Sequence, residues 1–238
     1  MHKHEEIKAL ASEIKLANIK ENYLQLIDYA TNQNLSYTDF LLYVLEEENL
    51  VRTNNGISKK IKNAKFPYKR FFHELDLSLF NTEIVSKIKE LENLSFIDNG
   101  RNVVLIGNPG VGKTHLAIAL GMLTCEARKT VLYISIPNLI TELKEAMTLN
   151  QLTNYKRKFM HYDLVILDEL GYISFDKVGS ELLFNILSQH SETKSIIITS
   201  NILFNKWSDI FVNPIITTAL VDKLTHKAYI INIKCDSY

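Results

Sequence analysis

From residue 102 onward the chain alternates short, almost wholly apolar runs with longer stretches whose apolar residues recur every three or four positions. The short runs, 102–106, 130–136, 164–167, 195–199 and 229–233, are rich in β-branched residues and read as five buried strands. The segments between them read as mostly helical. In the first, THLAIALGMLTCEAR, the spacing sets Leu116, Ala119, Leu120 and Leu123 on one buried face. Such alternation predicts an α/β fold with a parallel sheet covered on both sides. Ligands of such sheets bind beyond the carboxyl ends of the strands.

The pattern upstream is different. Residues 5–64 carry apolar positions at helical spacing only: Ile7, Leu10, Ala11 and Ile14 share a face, and Tyr23, Leu24 and Ile27 continue the period. Ser36 with Asp39 forms a capping pattern ahead of Phe40, Leu41, Val44 and Leu45. Three or four short helices fit this region. Residues 71–99 read as a connector with one helix, 81–94. The expected organisation is a small all-helical N-terminal region, 1–65, a connector, 66–99, and the sheet domain, 100–238.

Composition adds limits. In 238 residues, 46% are hydrophobic and 23% charged, an ordinary globular balance. Lys plus Arg and Asp plus Glu are both 27, so no global charge draws the chain to nucleic acid or membrane. Local charge is another matter. Residues 51–70 hold Arg52, Lys59, Lys60, Lys62, Lys65, Lys69 and Arg70 and no acid. Two readings stay open: a surface for phosphate backbones, or a solvated helix face balanced by Glu46, Glu47 and Glu48. The neighbouring Phe66, Tyr68, Phe71 and Phe72 read as packing anchors. Cys125 and Cys235 form no metal or redox spacing, and Cys125 reads as a small core residue. The opening MHKHEE has no apolar signal core and no run reaches membrane-spanning length, so a cytoplasmic chain without a membrane partner is expected. His2 and His4 read as part of a fraying terminus rather than a metal site.

The chemistry concentrates at 107–114, GNPGVGKT, which fits the phosphate-cradling pattern G-x-x-x-x-G-K-[ST] between a strand and a helix. Gly107, Asn108, Pro109, Gly110, Val111 and Gly112 would turn successive N–H groups toward phosphate oxygens. Lys113 adds a mobile positive charge, and the Thr114 hydroxyl is a candidate Mg²⁺ ligand. Asp168 and Glu169 follow the strand 164–167 directly. Two carboxylates there are costly unless they serve a cation or a proton transfer. Asp168 reads as the metal-holding residue and Glu169 as a general base for an attacking water. Asn201, at the tip of SIIITSN, is either a γ-phosphate contact or a turn residue. The expected cofactors are ATP and Mg²⁺.

At this point the residues resemble the AAA+ ATPases, and within them the clade of DnaC-type helicase loaders and IstB-type insertion-sequence helpers. The resemblance to IstB rests on KNAKFPYKRF, FIDNGRNVVLIGNPGVGKTHLAIALG, DLVILDELGYISFD, TSNILFNKWSDIF with the following NP, ALVDKLTHKAYIINI and the terminal DSY. It implies a P-loop AAA+ three-layer parallel sheet. The implied function is an ATPase that assembles with ATP as a homo-oligomer on double-stranded DNA and directs a cognate transposase; a helicase loader is the alternative. It further implies DNA contact by the helical region, with Lys59, Lys60, Lys62, Lys65, Lys69 and Arg70, and by Lys156, Arg157 and Lys158. For that last trio a solvated amphipathic helix is an equal reading. Asn201 matches the first sensor residue. Relatives commonly carry Asp-Arg where this chain has Asp222-Lys223; the lysine keeps the charge but loses the bidentate fork that would reach a neighbouring subunit's γ-phosphate. That change also motivates a third reading, a nucleotide-gated binding module with negligible hydrolysis. Relatives often continue past Ser-Tyr with a short basic tail, so an end at Tyr238 is expected to weaken DNA affinity or assembly.

Overall fold

Five strands, ten α-helices and three short 3-10 helices lie in the described chain, which in this computed structural model comprises residues 2–171, 174–211 and 213–233. Tyr172 of the DELGY stretch, Cys235 and the terminal DSY lie outside the described residues. The chain divides into two units, 1–59 and 60–238.

The first unit is helical. It holds α1 (His2–Glu13), α2 (Ala17–Asn32) and most of α3 (Tyr37–Asn63). The His2 and His4 positions are helical rather than frayed, because α1 packs on α2 and His4 Nδ1 hydrogen-bonds Tyr23 Oη at 2.7 Å. In place of several short helices, α3 runs unbroken for 27 residues. Its start carries the expected cap: the Asp39 N–H donates to Ser36 Oγ and the two side chains are joined at 2.6 Å. No proline interrupts it, and Gly56 is exposed with open space where a Cβ would stand, so the helix propensity of the flanking residues carries through. Leu16, which precedes α2, has no capping side chain. Glu48 of α3 supplies one instead, accepting the N–H groups of Asn18 and Ile19 at 2.9 and 3.0 Å.

In the second unit the strands are β1 (Asn102–Gly107), β2 (Val131–Ser135), β3 (Leu164–Leu170), β4 (Ser195–Ser200) and β5 (Ala228–Ile233). They form one parallel sheet in the order β2-β3-β4-β1-β5. Side-chain alternation divides the core into two faces. Val103, Leu105, Ile166, Ile197 and Ile231 meet α4 (Thr82–Glu92) and α6 (Lys113–Glu126). Val104, Ile106, Val165, Leu167 and Ile198 meet α7 (Ile136–Thr148), α9 (Lys177–His190) and α10 (Pro214–Thr225). Three layers result. The remaining helices are α5 (Ser95–Asp98), which the sequence did not suggest, and α8 (Leu152–Phe159).

Three expectations are revised. The strand β3 extends to Leu170, carrying Asp168 and Glu169 inside it, because Leu170 pairs with Ser200 after a register shift beyond Leu167. The strand β2 ends at Ser135, since Ile136 already opens α7 with Pro137 in its first turn. Finally, α6 is buried nearly all round rather than on one face, and Leu123 is only partly buried. Its outer side is covered by the strap 64–80. A Cβ on Gly121 would stand 2.7 Å from Ile166 of the sheet and 2.8 Å from the Phe66 ring of the strap. The helix is wedged between the two.

At the amino ends of the strands, Asp163 accepts Thr130 N–H at 2.9 Å, Thr130 Oγ1 at 2.8 Å and Lys194 Nζ at 2.6 Å, joining the starts of β2, β3 and β4. Burial opposes its ionisation, but the Lys194 and Thr130 bonds overcome that and hold the carboxyl at about 2. A carboxyl depressed on folding stabilises the protein above its unfolded value and loses that effect as pH falls through the folded one. Asp163→Asn is therefore expected to lower the melting temperature at pH 7. Thermal melts should show the gap to the parent closing between about pH 4 and about pH 2. At the other end, Gly107 pairs with Ile233, and a Cβ there would stand 2.4 Å from the Ile233 carbonyl oxygen. Gly107→Ala must push β5 away. Overpacking of this kind costs about 2 kcal/mol, a fall of roughly 4–8 °C in melting temperature for a chain of this size.

Candidate active site

The loop between β1 and α6 and the carboxyl ends of β3 and β4 enclose a cavity of about 350 Å³. Pro109, Gly110, Gly112, Lys113, Thr114, Asp168, Glu169 and Asn201 all line it, so residues 92 positions apart in sequence, Pro109 and Asn201, converge on one space. The loop has the form that a phosphate cradle requires. Gly110 has φ +83° with no atom within 4 Å of where a Cβ would be, and Gly112 caps the N-terminus of the 14-residue α6. Lys113 Nζ is tied back to the carbonyls of Gly107 and Asn108, both at 2.7 Å. Burial lowers the Lys113 pKa, and the charge of Asp168 acts against that shift.

Asp168 is 3% exposed and held by three hydroxyls. Thr114 Oγ1 lies 3.0 and 3.2 Å from its two oxygens, Tyr133 Oη donates to Oδ2 at 2.5 Å, and Thr199 Oγ1 bonds Oδ1. Burial and the bond to Asp168 push the Tyr133 phenol far above its ordinary range, so it stays a donor. Glu169 is different in kind: exposed, with φ +69°, in the irregular register between Leu167 and Leu170. Its N–H donates to Thr199 Oγ1 at 3.1 Å. A left-handed glutamate within a strand stores strain of order 1 kcal/mol. That twist lets one carboxylate sit in the sheet while its neighbour faces the cavity.

Asn201 Oδ1 is buried in the cavity wall and has no hydrogen-bond partner among the described residues. The open glycine cradle, the Lys113 side chain beside it and the paired oxygens of Thr114 and Asp168 fit a phosphate-bearing ligand with a divalent cation. Two lining residues, His115 and Thr199, escaped the sequence reading, Tyr68 lines the cavity rather than serving only as a packing anchor, and Tyr133, which bonds Asp168 from outside the lining, was also missed. Tyr133 is opposite Ile166 in the register, Asp168 stands two positions on from Ile166, and Thr199 stands two on from Ile197, itself opposite Ile166, so all three share the face toward α6. Only the strand pairing reveals that.

Other candidates lie elsewhere. Lys223 pairs with Glu192 at 3.1 Å in a groove with Asp98, Asn99 and His226, at the amino ends of β1 and β4, away from this chain's own cavity. Among the basic candidates, Lys59, Lys62, Lys69 and Arg70 are exposed, Lys60 is half-buried and Lys65 pairs with Glu142 at 3.7 Å. On α8, Arg157 and Lys158 are exposed and Lys156 is half-buried. Of the acids expected to balance the basic run, Glu48 is buried as the α2 cap. No described helix is long and apolar enough to cross a membrane.

Comparison with known proteins accords with this geometry. An ATP-binding protein described for insertion sequence IS21 of Pseudomonas aeruginosa is 34% identical over 98% of this chain and 88% of its own length. AMPPCP-bound DnaA from Aquifex aeolicus superposes with a TM-score of 0.60 at 18% identity, over 71% of this chain and about half, 51%, of that one. The DnaC helicase loader gives a TM-score of 0.54 at 19% identity, over 74% of this chain and 99% of that one. At such identities these likenesses concern the fold, which is that of the P-loop AAA+ proteins. The family model for "IstB-like ATP binding protein" matches residues 9–238. The chain belongs to the IstB-like ATP-binding family.

Proposed function

We propose that the chain is a Mg²⁺-dependent ATPase that assembles with ATP as a homo-oligomer on double-stranded DNA and directs a cognate transposase to its target. The observation that carries this reading is the convergence of Lys113, Thr114, Asp168, Glu169 and Asn201 on one cavity beside a glycine cradle. Gly107 to Thr114 would hold the phosphates by backbone N–H groups and the Lys113 ammonium. A magnesium ion held by Thr114 and Asp168 would neutralise charge on the β- and γ-phosphate oxygens. Glu169, exposed to the cavity, takes a proton from the attacking water, which adds to the γ-phosphorus as the bond to ADP breaks. Asn201, in the cavity wall, would orient that water through its side-chain amide. Lys223 supports assembly by its position: it has no reach to its own cavity, so any role at a γ-phosphate belongs to a neighbouring copy. The insertion-sequence origin of the IS21 relative supports a transposase as the partner.

Lys113→Ala is expected to abolish ATP binding in a nucleotide titration. Glu169→Gln should bind ATP as the parent does while turnover falls by roughly 10²–10⁴-fold; unchanged turnover would refute the base assignment. For DNA, the exposed Lys59 and Lys62 are the informative pair, since neither has an acidic partner within 4.0 Å among the described residues. Lys59→Glu with Lys62→Glu should weaken duplex binding and reduce the slope of log affinity against log salt by about 2. ATP affinity should not change.

A further inference from the structure

We propose that Tyr133 is a positioning residue for Asp168, holding the carboxylate so that it meets a divalent cation together with Thr114. The inference rests on the ATP and Mg²⁺ reading above and concerns a residue that no motif contains. A carboxylate has about four lone-pair positions. In Asp168 the Tyr133 hydroxyl takes one on Oδ2 and Thr199 takes one on Oδ1, from the two flanking strands. Thr114, in the first turn of the phosphate-loop helix, bonds both oxygens at 3.0 and 3.2 Å, so the carboxylate and this hydroxyl meet in the lining of the cavity, where a cation would join them. Without its flanking donors, the carboxylate would be free to rotate about its terminal torsion, which has no sharp minimum of its own.

Tyr133 is itself held at three points. Its backbone N–H donates to the carbonyl of the fully buried Ala64 at 2.8 Å. Its ring packs against Phe66 with centroids 6.3 Å apart. Its parity in β2, opposite Ile166, turns it to the α6 face. The strap 64–66 therefore fixes the ring, the ring fixes the hydroxyl, and the hydroxyl fixes the carboxylate. This is the arrangement in which an outer partner sets the orientation of a metal ligand.

The test is Tyr133→Phe, which keeps the ring and its packing and deletes only the hydroxyl. Affinity for a fluorescent ADP analogue is measured in EDTA and across a Mg²⁺ titration, with no turnover involved. The expected result is unchanged affinity in EDTA and a Mg²⁺ midpoint raised about 10-fold, as for loss of a partner of a metal ligand. Tyr155→Phe is the control: that phenol bonds Glu142 at 2.6 Å, a tyrosine–carboxylate pair outside the cavity, and its removal should leave the midpoint where it was. A Tyr133→Phe midpoint equal to or below the parent's overturns the positioning role. A parent whose nucleotide affinity ignores Mg²⁺ overturns the cation reading itself, and the inference with it.

Discussion

A carboxylate sealed away from water governs the carboxyl end of this sheet. Asp168 is 3% exposed, and leaving such a charge unsatisfied would cost several kcal/mol. Its hydroxyl partners come from β2, β4 and the first turn of α6, so satisfying one side chain ties two strands and the phosphate-loop helix to a third strand. The same parallel sheet, buried on both faces, leaves only its ends for polar chemistry. Site and scaffold are thus one problem with one solution: the cavity is shaped by whatever keeps Asp168 solvated by protein.

The proposed division of labour between the two adjacent carboxylates follows from backbone geometry. In a regular strand Asp168 and Glu169 would point to opposite faces, and Glu169 would enter the apolar layer with α7 and α9. The left-handed turn at Glu169 and the lost register up to Leu170 avert this and bring the second carboxylate to the cavity rim. One carboxylate is rigid and dry, the other exposed. In the proposed mechanism the first of these holds the metal and the second meets the attacking water.

Much of this was legible in the residues alone, for identifiable reasons. Strands buried on both faces are nearly uninterrupted apolar runs, so all five appeared at their places, and the phosphate loop is a local pattern needing no partner to be recognised. What stayed hidden depends on register and on packing between distant segments. Tyr133 and Thr199 look like strand residues until pairing sets them beside Asp168. The burial of α6 on its outer side could not be read from its own spacing, because Phe66 of the strap supplies the cover. Glu48 looked like a counter-charge to the basic run and is instead the cap of another helix, a role fixed by a contact 30 residues away. Similarly, the length of α3 emerges from the absence of a stop signal, which is harder to read than its presence.

The hydrogen bond from the Tyr133 N–H to Ala64 has one more effect. β2 is an outer strand of the sheet, and an outer strand offers a row of free backbone donors and acceptors to any other extended chain. The strap occupies one of those donors and then turns away at Lys65, with φ +63°, so it covers part of this border. In the homo-oligomer proposed above, copies would stand side by side with this stretch of sheet edge already covered.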